Sequence, residues 1–282
     1  MQKTWLYQGD ALSYRVEGNG KAIVLIHGFG EDSSIFDQQV DFLKDHYLLI
    51  VPDLPGSGKS ALLQPPTHQS ASITIDDYAH SIHAILIQEN ITSCIMLGHS
   101  MGGYITLAFA EHYPKALVAF GLINSTAFAD TQEKKDNRKR GIELIGKYGA
   151  YAFLKNTIPN LFGKQFKEKY PEKIDSLIEA GKQFSAAACQ QYYTAMLNRP
   201  DRTNLLRNNP LPILFVIGTE DVAVPLNDIL QQTHLPACAY IHIFENTGHM
   251  SMWEATAALN IELLNFSQLL NKTNILFSVE SE

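Results

Sequence analysis

Five aliphatic residues in a row, Ala22-Ile23-Val24-Leu25-Ile26, stop at His27-Gly28, and this run constrains the fold more than any other segment. An uninterrupted apolar run of that length suits a strand buried on both faces, as in a parallel sheet covered by helices. The same signature recurs at residues 47–51, which end at Pro52-Asp53, at 94–97 and at 117–123. Between these runs, Ile75, Tyr78, Ala79, Ile82, Ile85 and Leu86 recur at helical intervals over 75–87, and 104–111 reads as a second helix. Strands alternating with helices imply right-handed βαβ units. Residues 5–7 and 13–17, on either side of Gly9-Asp10, predict an antiparallel hairpin at the sheet edge.

The pattern changes after Thr126. From 126 to 210 no strand-like run occurs, whereas 142–154 and 174–191 have helical spacing. Pro210-Leu211-Pro212 closes the segment, and strands are expected again at 213–217 and 240–244. An amphipathic helix at 253–270 and a polar, loosely held tail from Asn271 complete the reading. The expected organisation is therefore an α/β core over 1–125, a helical insertion over 126–210, and the rest of the core over 211–282.

Charge follows the same division. Residues 126–210 hold 15 Lys/Arg and 9 Asp/Glu, a net +6, while the remainder of the chain carries −13. The whole chain stands at −7, the wrong sign for affinity that rests on neutralising phosphates, so nucleic acid is not an expected partner. Charged residues make up 18% of the chain, below the roughly 25% usual for such domains, which leaves much of it free to be buried. Cys94, Cys189 and Cys238 are odd in number and widely spaced, which excludes a disulfide framework and suits reduced thiols in a cytoplasmic protein. The first ten residues reach Gln8-Gly9-Asp10 before any apolar run, so no secretory signal is visible. The stretch 90–110 has no charge and nearly the length of a membrane span, but His99-Ser100 and three glycines sit at its centre. It reads as strand, turn and helix, with no membrane span.

That turn is Gly98-His99-Ser100-Met101-Gly102-Gly103. G-x-S-x-G at a strand–helix junction projects the serine hydroxyl above the sheet edge, and chance would supply the pattern only about 0.1 times in a chain of this length. Ser100 is thus the candidate nucleophile. A serine hydroxyl needs a base within hydrogen-bond reach and a third group to orient that base. Two later loops offer them: Asp221 in Gly218-Thr219-Glu220-Asp221 and His249 in Gly248-His249-Met250, each just beyond a predicted strand. Glu220 is the alternative acid; the strand ending at Ile123 runs into Asn124-Ser125-Thr126 and offers no carboxylate. Acyl transfer also needs two N–H donors for the carbonyl oxygen. The amides of Met101 and of Phe29, in His27-Gly28-Phe29-Gly30, are the candidates, with His27 read as a loop-fixing residue.

Together these residues resemble the α/β-hydrolase superfamily, in its cap-bearing branch. The resemblance runs from Trp5 to Leu270 and includes, in order, His27-Gly28-Phe29-Gly30, the loop Pro52 to Ser60, Gly98 to Gly103, Gly218-x-x-Asp221 and Gly248-His249. It implies an α/β fold with a mainly parallel, twisted eight-stranded sheet and a helical cap inserted after the sixth strand. It further implies Ser100 as nucleophile, His249 as base, Asp221 as its orienter, and the Phe29 and Met101 amides as the oxyanion hole, with no cofactor and no metal. Dehalogenases and epoxide hydrolases of the superfamily carry Asp at the position of Ser100. Meta-cleavage C–C hydrolases usually show Gly-x-Gly-Pro-Gly and an Asn before the serine, where this chain has Gly30-Glu31-Asp32 and His99. Phe36 stands where many relatives carry Trp. The expected substrate is a small-molecule carboxylic ester or thioester; a slow-turnover ligand receptor on the same fold, or a C–C bond hydrolase, is the alternative.

Three lookalikes read otherwise. Asp53 to Ser60 resembles a phosphate-binding G-x-x-x-x-G-K-S loop, but Asp53 replaces the first glycine and would repel phosphate. Glu111-His112 and Glu245…His249 lack the paired-histidine spacing of a zinc site. Met250-Ser251-Met252-Trp253 reads as the apolar start of a core helix. The basic residues of the insertion, including Lys134-Lys135 and Arg138-Lys139-Arg140, form a solvated face or steer an acidic substrate.

Overall fold

The computed structural model describes residues 1–65 and 72–279. Eight strands form one sheet: β1 (Gln2–Tyr7), β2 (Asp10–Glu17), β3 (Ala22–Ile26), β4 (Leu48–Pro52), β5 (Cys94–His99), β6 (Leu117–Ile123), β7 (Ile213–Gly218) and β8 (Ala239–Phe244). Their spatial order is β1-β2-β4-β3-β5-β6-β7-β8. β2 pairs antiparallel with β1 and with β4; every other pair is parallel. The edge hairpin turns at Gln8-Gly9 rather than Gly9-Asp10. Both turn residues have positive φ, 54° and 94°, the hand that matches strand twist, and Tyr7 pairs with Asp10.

Every residue of β3, β5 and β7 is buried, which accounts for their unbroken apolar runs. One face of the sheet, with Val24, Ile26 and Met96, packs on α2 (Ile75–Gln88) and α3 (Met101–His112) through Tyr78, Ile82 and Phe109. The other, with Ile23, Leu25 and Leu97, packs on Val40 and Leu43 of α1 (Asp37–Leu43), a helix not expected from the sequence, and on Leu263 and Phe266. α2 starts from a capping box in which Thr74 Oγ1 accepts from Asp77 N–H and the Asp77 carboxylate accepts from Thr74 N–H.

Between β6 and β7 the chain is helical: α4 (Gln132–Tyr148), α5 (Ala150–Thr157), α6 (Lys164–Lys169), α7 (Pro171–Ala180), α8 (Ala186–Asn198) and α9 (Thr203–Asn208). The two helices expected at 142–154 and 174–191 are each divided. Gly149, at φ +85°, separates α4 from α5, and a 3-10 turn at Gly181–Gln183 precedes the Ser185 cap of α8. These helices are tied to loops at the carboxyl ends of the strands. Tyr192 Oη donates to Pro55 O (2.8 Å), Gln191 Nε2 to Leu63 O (3.0 Å), and His249 N–H to Leu161 O (2.6 Å). The chain closes with α10 (Leu226–Leu230), α11 (Ser251–Glu254) and α12 (Thr256–Val279). Met250 and Met252 are buried, as expected of a core-packed helix start. α12 continues through Asn271 to Val279, past its expected end at Leu270; the expectation for 280–282 lies outside the described residues. Among the described residues no helix is long and apolar enough to cross a membrane.

Strand order reverses at β3, which lies between β4 and β5. A crevice opens outside the carboxyl ends of strands at such a switch point. The His27–Gly30 loop and Ser100 both leave the sheet there.

Candidate active site

β5 ends at His99 and α3 begins at Met101, so Ser100 alone makes the turn, at φ +51° and ψ −116°. A non-glycine residue held there costs of order 1–3 kcal/mol, and persists only because its surroundings over-determine it. Ser100 N–H donates to Ile123 O (3.0 Å), and its carbonyl accepts from Ser125 Oγ (2.7 Å) and Gly103 N–H (2.9 Å). The flanking glycines are steric necessities. A Cβ on Gly98 would lie 2.2 Å from Gly102 O, and one on Gly102 would lie 2.2 Å from Ile26 O.

The loops after β7 and β8 bring Asp221 and His249 together. His249 Nδ1 is 2.8 Å from Asp221 Oδ2, and both side chains are buried. Asp221 Oδ1 accepts from the N–H groups of Ala223 and Val224 (2.9 Å each), and Oδ2 accepts from Asn124 Nδ2 (3.1 Å). Burial opposes ionisation of Asp221. The adjacent His249, the Val224 amide and Asn124 outweigh it and hold the carboxyl below its ordinary range. For His249 burial acts downward, but the Asp221 charge and hydrogen bond, with Glu31 and Glu254, carry the imidazole above its ordinary value. Glu220, the alternative acid, points elsewhere and accepts from Lys164 N–H at 2.7 Å. Asn124, which lacks a carboxylate, contributes a donor instead: it ties Asp221 to the Gly248 carbonyl (3.1 Å).

Ser100 and His249 line one cavity of about 120 Å³, together with Phe29, Tyr104, Tyr193 and Val224. Neither Ser100 Oγ nor His249 Nε2 has a hydrogen-bond partner among the described residues, an arrangement that commonly tightens only with substrate present. Phe29 N–H is likewise unpaired among them, and its ring lies 4.5 Å from that of Tyr193. Met101 N–H opens α3, where no intrahelical carbonyl can receive it. The arrangement thus brings a serine hydroxyl and an imidazole held by a carboxylate to one cavity, with the unpaired amides of Phe29 and Met101 in the two loops that flank it.

Sequence reasoning passed over a second pair beside the first. Glu31 Oε2 accepts from Gly28 N–H (2.8 Å) and meets His99 Nδ1 (3.1 Å), while His99 Nε2 meets the His249 carbonyl (3.0 Å). Burial acts to raise Glu31, but His99, the Gly28 amide and His27 hold it below the ordinary carboxylate range. It also passed over Glu254, whose carboxylate accepts from Gly248 N–H (3.0 Å), Met250 N–H (3.0 Å) and Gly163 N–H (2.7 Å) and so brackets His249. No local signal marks these residues; Glu31 and His99 lie 68 positions apart.

His27 holds the neighbouring loop, as its position suggested. Its Nε2 accepts from Leu54 N–H (2.9 Å) and lies 2.8 Å from Ser57 Oγ. The Asp53 carboxylate accepts from Ser33 and Lys59 N–H groups (3.0 Å each), and so braces a turn. Asp76, Glu111 and His112 form the one group among the described residues whose ligand atoms are close enough for a metal ion. The Arg202 guanidinium already bonds Asp76 (2.6 Å) and Glu111 (2.9 Å). His112 also lines a larger groove of about 760 Å³ that contains neither Ser100 nor His249.

The profile of a family described as alpha/beta hydrolase fold matches residues 21–256. Among characterised sequences, a lipase (Lipase 1) of Psychrobacter immobilis is 29% identical over 262 residues, covering 89% of this chain and 78% of the lipase. Among solved structures, a thermophilic esterase from Thermogutta terrifontis with malate bound superposes with a TM-score of 0.88 at 23% identity, covering 96% of this chain and 99% of the other. The enol-lactonase from Burkholderia xenovorans LB400 gives 0.85 at 21% identity, covering 94% and 100%.

Proposed function

The chain belongs to the α/β-hydrolase family, and on that footing we propose that it is a serine hydrolase of small-molecule carboxylic esters, open or cyclic. The observation that carries the reading is the 2.8 Å contact between His249 Nδ1 and Asp221 Oδ2, in a ring that shares its cavity with Ser100. Ser100 Oγ attacks the ester carbonyl carbon while its proton passes to His249 Nε2. The Asp221 carboxylate stabilises the resulting imidazolium, and the amides of Phe29 and Met101 receive the negative charge on the carbonyl oxygen. The C–O bond then breaks, and the alcohol leaves with the proton from His249. Water, deprotonated by the same ring, attacks the acyl group and restores Ser100. Thioesters would pass through the same steps.

The relatives described as lipase, esterase and enol-lactonase support ester-bond chemistry. The helices within 126–210 act in this reading as a cap over a core formed by 1–125 and 211–282. A cytoplasmic setting suits the three free thiols. A cavity near 120 Å³ is about the size of one that takes benzene, so short acyl groups should fit best. The test is steady-state hydrolysis of p-nitrophenyl esters from acetate to laurate, with Ser100→Ala run alongside. Sustained turnover with a short-chain optimum, lost in the variant, is the expected result. Near wild-type turnover by Ser100→Ala would remove the mechanism.

A further inference from the structure

The cavity beside Ser100 contains a cation that ester cleavage itself does not require. Arg138, on α4, reaches the cavity wall with its guanidinium carbon 5.2 Å from the centroid of the Tyr193 ring, and its Nε donates to Asp130 Oδ2. Among the described residues neither Nη1 nor Nη2 makes a hydrogen bond. Asp130 cannot neutralise this arginine alone, because the same carboxylate pairs with Arg199 Nη1 at 2.9 Å. Arg199 is otherwise well held: it donates to Met196 O (2.9 Å) and Phe128 O (3.0 Å) and lies 3.8 Å from the centroid of the Tyr104 ring. One carboxylate between two guanidinium groups leaves a positive charge in excess. The Arg138 side chain is only 18% exposed, and a charge so placed is costly without an anion opposite it. The carboxylate that lines the cavity, Glu31, is already engaged by His99 and the Gly28 amide.

Resting on the hydrolase reading, we propose that the substrate is an ester or lactone that itself bears a carboxylate, received by the two free Nη groups of Arg138 while Ser100 addresses the ester carbonyl. The planar fork of a guanidinium matches a carboxylate at two points, which sets orientation as well as affinity. No other basic residue of α4 lines this cavity. Lys134 pairs with Asp228 and Lys139 with Asp136, both at 3.6 Å on the surface. Recognition would therefore rest on one inward arginine and not on diffuse charge over the cap.

Monoethyl succinate and ethyl butyrate differ only in a terminal carboxylate in place of a methyl group. The wild-type enzyme should favour the first by at least tenfold in kcat/KM. In Arg138→Gln that ratio should collapse at least tenfold, and in Arg138→Lys, which keeps the charge but not the fork, it should fall partway. Lys139→Gln should leave the ratio unchanged. Ser100-dependent hydrolysis of ethyl butyrate with a wild-type ratio at or below one would keep the hydrolase reading and overturn this one. So would a ratio that Arg138→Gln leaves intact. Calorimetric binding of succinate to Ser100→Ala protein provides a readout that needs no turnover. Binding that disappears when Arg138→Gln is added supports the proposal even if neither ester is cleaved. Absence of binding, or binding indifferent to Arg138, overturns it.

Discussion

Two histidine–carboxylate pairs occupy adjoining regions of this site, and they are built alike. His249 meets Asp221 at 2.8 Å and His99 meets Glu31 at 3.1 Å, each through Nδ1, with the two rings 4.8 Å apart and all four residues buried. They differ at the second nitrogen. His99 Nε2 is occupied by the His249 carbonyl, whereas His249 Nε2 has no partner among the described residues and its ring lines the cavity with Ser100. A ring engaged at both nitrogens can only hold parts together. Here it ties the loop at Gly28–Glu31 to the serine turn and to the His249 loop. A ring with one nitrogen open to a cavity can take up a proton. Both rings face a carboxylate, an aspartate in one region and a glutamate in the other, so what would make one ring a base and the other a brace is the occupancy of one atom.

The largest effect expected from that contrast separates the two histidines outright. If His249 is the base, as proposed, His249→Gln should lower kcat by roughly 10⁴-fold or more, since the ring that would take the Ser100 proton is gone. His99→Gln keeps a donor for its neighbours and should cost at most about 10²-fold, the scale of a misplaced but intact machinery. Steady-state rates of the two variants on one short-chain ester decide the matter; equal losses would erase the distinction.

A smaller effect concerns the carboxylate behind the base. Asp221→Asn should reduce kcat/KM by on the order of 10²–10⁴-fold, as expected when the imidazole loses its anionic orienter. The pH profile gives a sharper readout. The Asp221 anion favours the protonated ring and carries His249 above its ordinary value near 6.5, so the wild-type acid limb should lie above that pH. In Asp221→Asn the limb should move down, because the neutral amide no longer favours the imidazolium. Glu31→Gln, further from the ring, should move it less in the same direction. A limb unmoved by Asp221→Asn would show that another group titrates.

How much of this could be read from the sequence follows the same physical line. Gly98 and Gly102 are legible because a Cβ at either would strike backbone at 2.2 Å, so local sterics dictate the residue type. Asp221 and His249 are legible because strands β7 and β8 end just before them, and strand ends are marked by apolar runs. Glu31, Asn124, Arg138 and Glu254 were not recognised for their contacts. Their partners lie far away in sequence, and nothing in their own neighbourhoods requires a carboxylate, an amide or a guanidinium. The helices between β6 and β7 were legible as helical but not in number. Gly149 could have been accommodated within a helix, and only its φ of +85° shows that it ends one.

The smallest effect tests whether the His249 loop is braced from outside the two pairs. Glu254 receives three backbone N–H groups, from Gly163, Gly248 and Met250, through both of its oxygens. A glutamine there offers one acceptor oxygen and turns an NH₂ toward at least one donor, which leaves a buried N–H unmatched at a cost of about 1–3 kcal/mol. Glu254→Gln should therefore lower the urea midpoint, while kcat falls by less than about tenfold because Asp221 still orients the ring. The pH dependence of stability distinguishes this from a general weakening. Burial, aided by the nearby Asp221 charge, leaves Glu254 above its ordinary range despite its three donors, so the folded state binds its proton more readily than the unfolded chain does. Its contribution must fall as pH rises from the ordinary carboxylate range through the raised value. Asp221, held low, has the opposite slope: it stabilises above its unfolded value and loses that contribution as pH falls through its folded one. Subtracting the Glu254→Gln stability profile from the wild-type profile between about pH 4 and 7 should leave a term that declines with pH. A difference that rises with pH would mean that the three amides outweigh burial and that Glu254 is held ionised.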